Sequence, residues 1–83
     1  MGFELVGMFC GDESREFKNE DGSVDVRHFV NLATGNLAYR VYLADNEIDN
    51  FSSLNLGDLV RVSCRVYVGK NGKLSVIEGK LIA

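Results

Sequence analysis

Five segments of this chain have the composition of β-strands, and three of them alternate apolar and polar residues with a period of two. No proline interrupts any of them, and only one short stretch has the apolar spacing of a helical turn. These three observations predict an all-β domain of five strands. At 83 residues there is room for a single domain, residues 1–83, with a core that is marginal without a partner or a staple. The apolar share of 46% and charged share of 25% are those of a folding chain rather than a disordered one.

The first strand is Phe3–Cys10 (FELVGMFC), with Gly2 and Gly11 at its limits and Gly7 as a bulge or sharp coil. The polar stretch DESREFKNEDGS follows, and its Asp21-Gly22 pair is a tight-turn signal. A bent, hairpin-like and mobile excursion is therefore expected to join the first strand to the second. In the second strand, Ser23–Leu32, the period of two sends Val24, Val26, His28, Val30 and Leu32 to the core and Asp25, Arg27, Phe29 and Asn31 outward. A short Gly/Asn loop, 33–36, makes an antiparallel hairpin with the third strand, Leu37–Ala44. There Leu37, Tyr39, Val41 and Leu43 point inward, and Ala38, Arg40, Tyr42 and Ala44 outward.

Asp45–Ser53 is a connector with one helical turn, in which Ile48 and Phe51 are the apolar contacts. Residues 54–58 turn the chain into the fourth strand, with Val60, Val62, Cys64, Val66 and Val68 inward and Arg61, Ser63, Arg65 and Tyr67 outward. Gly69–Gly72 is a second hairpin turn, and Lys73–Ala83 the closing strand. Five strands with a small connector between the third and fourth is the order of an OB-fold barrel, whose closure removes exposed sheet edges. A small SH3-like barrel or an open meander is the competing architecture. A bulge near Gly7 or Asn31 would exchange the two faces assigned here.

The residue inventory argues against catalysis. Asp12/Glu13, Glu20/Asp21 and Asp45/Glu47/Asp49 fall in polar loops, where solvation leaves a carboxylate unsuited to acid–base work. His28, the single histidine, alternates with core valines and reads as a partly buried histidine rather than a base. The glycines form no phosphate-binding pattern. Without CxxC or HxxxH spacing no metal is expected, and no cofactor. Cys10 and Cys64 read as reduced thiols packed as small hydrophobes. The start MGFELVGMFCGDE has neither the basic nor the long apolar region of an export signal, and no segment is apolar enough to span a membrane as a helix. The cytoplasm is the default compartment.

Net charge is −3, yet the charges are sorted by position. Arg27, Arg40, Arg61 and Arg65 all lie on outward registers, interleaved with Phe29, Tyr42 and Tyr67, while most acidic residues fall in loops and the connector. Single-stranded nucleic acid needs such a surface, because bases stack on rings and guanidinium planes and phosphates pair with the cations. Lys70 and Lys73 at the last hairpin, and Arg15 with Lys18 on the first excursion, extend the track. The expected partner is single-stranded DNA, with RNA as a second candidate. The alternative is a protein-interaction module using the same aromatic and arginine-rich face. Oligosaccharide binding is compatible with the fold. Val6 and Ile77, on the outward registers of the first and last strands, are candidates for a dimer seam.

The segments FVNLATGNLAYRVYLADNE and VSCRVYVGKNGKLSVIEGKLIA, together about half the chain, resemble the small single-stranded-DNA-binding, helix-destabilising proteins of filamentous phages and related mobile elements. That resemblance implies an OB barrel, a homodimer and cooperative, sequence-tolerant coating of single strands during replication. By position it places Arg15, Phe17 and Lys18 on a DNA-binding loop and Tyr42 near the strand. The same loop carries Asp12, Glu13, Glu16, Glu20 and Asp21, where the family's loop is basic.

Overall fold

The structure, a computed structural model, describes residues 2–44 and 46–82. Its elements are β1 (Gly2–Lys18), β2 (Val24–Thr34), β3 (Leu37–Leu43), α1 (Ile48–Ser52), β4 (Leu59–Val68) and β5 (Leu74–Leu81). The strands close into a barrel in the order β1-β2-β3-β5-β4. Every neighbouring pair is antiparallel except β3 and β5, which run parallel and complete the barrel. The five-stranded OB barrel with its connector between the third and fourth strands is thus the architecture of this chain, and neither the SH3-like barrel nor the open meander is formed.

β1 serves two partners. Its first half, from Gly2↔Arg65 to Met8↔Leu59, pairs with β4, while from Met8↔Ala33 to Lys18↔Val24 it pairs with β2. The change of direction falls at a register shift between Phe9 and Asp12, where Gly11 holds φ +112°, a conformation that side chains with a Cβ rarely adopt. The bulge therefore sits at Cys10–Gly11 and not at Gly7 or Asn31. Phe9 also donates to Asp58 O (2.7 Å) and accepts from Gly57 N (2.9 Å), fixing the entry to β4 beside the bend.

The core is formed by Phe9, Val30, Leu32, Val41, Phe51, Val60, Val62 and Cys64, with Leu5, Tyr39, Leu43, Val76 and Leu81 packed around it. The inward registers of Tyr39, Val41, Val60, Val62 and Cys64 are those that period two predicts. α1 is five residues long, and its Phe51 is fully buried. Just before it, Glu47 Oε1 accepts from Leu81 N (2.9 Å), tying the connector to β5. Parallel closure depends on Gly79, which is buried opposite Leu43. A Cβ there would lie 2.7 Å from Val41 Cγ1.

Several expectations are corrected. The hairpin-like excursion is formed, and it is regular paired strand rather than loop. Asp12–Lys18 is strand, paired with 24–30, and the turn itself is confined to Asn19–Ser23. This ribbon extends past the end of β3, so Val24, Val26 and His28, whose register predicts a core-facing position, are exposed. The same holds at the β4–β5 tip, where Val66 and Val68 are exposed. Inward register buries a side chain only where the barrel is there to cover it. Cys10 stands exposed at the bulge, Cys64 is buried, and both are free thiols.

Candidate nucleic-acid interface

The outward face of β1, β2 and β3 carries a continuous run of aromatic rings and guanidinium groups. Pairing of Glu13 with Phe29, and of Phe29 with Tyr42, sets these strands side by side in one register, so that alternate residues of all three share a face. Arg40 lays its guanidinium over the Phe29 ring, with Cζ 4.4 Å from the centroid, and Tyr42 meets the same ring edge-on at 5.5 Å. Phe17 lies 6.4 Å from Tyr42 and is flanked by Arg15 at 5.3 Å and Arg27 at 5.0 Å. Three arginines and three aromatics thus alternate across one surface. Asn31, in the same row, donates to Glu13 Oε2 (3.0 Å), which leaves that carboxylate engaged with a neutral partner beside the guanidinium groups.

This surface borders two grooves. The first, about 730 Å³, opens between the β2–β3 and β4–β5 hairpins. Phe3, Leu5, Tyr39 and Val76 contribute its apolar lining, and Arg15, Arg40, Tyr42 and Lys73 its polar and aromatic walls. None of the described residues lining it is acidic. The second, about 710 Å³, lies between the base of the β1–β2 ribbon and the far end of β5. It is lined by Val26, Arg27, His28, Ile77, Glu78 and Lys80 among others. Tyr42 borders both grooves.

The predicted residues divide into groups. Arg15, Phe17, Arg27, Phe29, Arg40 and Tyr42 come together, and Lys73 reaches the same groove from the second hairpin. Lys18 is exposed at the foot of the ribbon turn, on the register opposite Phe17, and Lys70 is exposed in the β4–β5 turn. Arg61, Arg65 and Tyr67 do not join them. They lie on the outer face of β4, which in the barrel is flanked by β1 and β5 rather than β3, and none of them lines either groove. Arg65 is engaged by Glu78 (Nε to Oε2, 2.9 Å). The single outer face expected from the alternation is therefore two faces.

Phe29 departs from its expected exposure. Its outward register predicts an exposed stacking ring, but only 4% of it is accessible, because Arg40 and Tyr42 fold across it. It supports the platform instead of forming it. Asn31, Tyr39, His28 and Lys80, which line the grooves, were not singled out from the sequence as binding residues. Lys80 has no clean alternation to reveal it, because the β4–β5 register shifts between Ser63 and Arg65 and Glu78 takes φ +56°. Val6 and Ile77 are also apart. Val6 is exposed beside Arg61, whereas Ile77 is partly buried opposite Arg65 and faces the second groove.

Titration shifts lie away from this surface. The Ser23 hydroxyl, with help from its backbone N–H, holds Asp21 below the usual carboxylate value in the ribbon turn, and burial pushes the Cys64 thiol up. Among the described residues no group of three or more His, Cys, Asp or Glu side chains is placed to hold a metal ion, and no helix is long and apolar enough to cross a membrane.

No protein-family model matches the chain, and no curated protein is significantly similar to it. Among solved structures it is similar to the crystal structure of the mitochondrial single-stranded DNA binding protein Rim1 of S. cerevisiae. The two are 15% identical, with a TM-score of 0.55 over 99% of this chain and 92% of that one. At that identity the likeness is one of fold, and together with the strand order it establishes the chain as an OB-fold barrel.

Proposed function

We propose that this barrel binds single-stranded nucleic acid, DNA first, without catalysis and largely without regard to sequence. The observation that carries the proposal is the run Arg40–Phe29–Tyr42–Phe17–Arg15/Arg27 bordering an apolar groove with no acidic residue among its described lining. Every base has a π-face to stack and every nucleotide a phosphate to neutralise, so such a surface takes a strand whatever its sequence. The fold shared with a single-stranded DNA binding protein supports the same reading. The acidic total does not oppose it, because the two carboxylates on this face are held by neutral partners, Glu13 by Asn31 and Asp25 by Asn19, and a local cationic track sets the field a strand meets.

The test is an anisotropy titration of labelled oligothymidylates at several salt concentrations. Affinity should fall with salt, with a log–log slope of about −0.7 per phosphate neutralised. Tyr42→Ala should weaken binding by about 1–3 kcal/mol with the fold intact. Tyr67→Ala, on the outer face of β4, should change it little. No binding at low salt, or equal losses from both tyrosines, would contradict the site. Binding of a protein partner with no dependence on oligonucleotide length would favour the interaction-module alternative.

A further inference from the structure

The two grooves are successive stretches of one line. The first is lined on β3 by Ala38, Tyr39, Arg40 and Tyr42 and on β5 by Leu74, Ser75 and Val76. The second is lined by Tyr42 and Leu43 of β3, by Ala44 just past its end, and on β5 by Ile77, Glu78 and Lys80. Because β3 and β5 run parallel, with Val41 opposite Val76 and Leu43 opposite Gly79, the grooves follow one another along the line where the barrel closes. From Ala38 to Ala44, or from Leu74 to Lys80, the line covers about 20 Å at ~3.3 Å per residue. Tyr42 stands where the two stretches meet and borders both grooves.

Charge is arranged to match. The first groove has Arg15, Arg40 and Lys73, and the second has Arg27 and Lys80 with His28 beside them. The single carboxylate among the described lining of the second groove, Glu78, is engaged by Arg65 at 2.9 Å. Both grooves also carry apolar side chains, Phe3 and Tyr39 in one and Val26 and Ile77 in the other, against which bases can lie.

Resting on the proposed function, we infer that a bound single strand continues past Tyr42 from the first groove into the second, along the β3–β5 closure, and that Lys80 contacts a phosphate at its far end. A line of about 20 Å accommodates about six nucleotides at the 3.4 Å spacing of a stacked strand, and fewer in an extended one. A short oligonucleotide fills only the first groove, which has the larger share of cations and rings. A longer one fills both.

The experiment compares oligothymidylates of about four and about twelve nucleotides on the intact chain and on Lys73→Ala and Lys80→Ala, with thermal melts as a check on folding. Both lysines are exposed, so neither substitution removes core packing. Lys73→Ala should weaken both lengths. Lys80→Ala should weaken only the longer, about three- to tenfold, and lower its salt slope by about 0.7, as expected for one lost phosphate contact. An equal effect of Lys80→Ala at both lengths, or none at either while Lys73→Ala still weakens binding, overturns the second half of the track and leaves the proposed function standing. Failure of the intact chain to bind either length at low salt overturns both.

Discussion

At Phe29 and His28, neighbours in β2, direction and exposure part company. Phe29 points outward and is buried beneath Arg40 and Tyr42, whereas His28 occupies the inward register and is exposed because the ribbon has no barrel beneath it. Period-two alternation reports which side of the sheet a residue takes, and it does so correctly for Arg40, Tyr42, Val41 and Tyr39. It is blind to what else covers that side. The consequence is testable. Phe29→Ala should cost about 3–5 kcal/mol as a buried-ring deletion, read as a lower urea midpoint with an unchanged slope. Truncating Tyr42, which is partly buried and borders both grooves, should act chiefly on binding. A Phe29→Ala protein as stable as the parent would mean that the ring is not held as described.

Among the elements, the hairpins were the most legible. Asp21-Gly22 and Asn71-Gly72 mark turns that the structure forms, and both glycines take positive φ, +88° and +79°. The connector was read as minor, and its one turn of helix is short, yet Phe51 is the largest fully buried side chain and Glu47 holds β5. Two apolar residues three apart show that a turn packs against something without showing how deeply. Division of the outer face into two was not legible either, because it depends on barrel order, and nothing local in β4 tells that its neighbours are β1 and β5. Gly79 tests the closure directly. Gly79→Ala places a methyl 2.7 Å from Val41 Cγ1 and 3.3 Å from Tyr42 O, so it should cost about 1–3 kcal/mol by overpacking, measured by urea denaturation. Because both grooves run along this line, the same substitution should also weaken oligonucleotide binding. An unchanged midpoint would show that β5 can move aside freely.

For the molecule as a whole, the two thiols make a ready reporter. Cys10 is exposed, while Cys64 lies in the core with its pKa raised by burial. A raised folded-state value means that the contribution of the neutral thiol is complete below the ordinary thiol range and fades as pH climbs through the raised value, so the loss falls on the alkaline side. At about pH 8 a thiol reagent should label Cys10 at once and Cys64 only as the barrel opens, and equal rates would show that the core is accessible. The barrel's connectivity also bears on how the chain reaches this state. Gly2 pairs with Arg65, and Val41 with Val76, so the contacts that close the cylinder join residues far apart in sequence. The two hairpin turns can form early, but closure must await loop-closing searches across most of the chain. Folding on a scale of roughly milliseconds to seconds is expected for such non-local pairing. Until β5 docks on β3, the open edges of those two strands are the parts of a newly made chain most prone to pair with another.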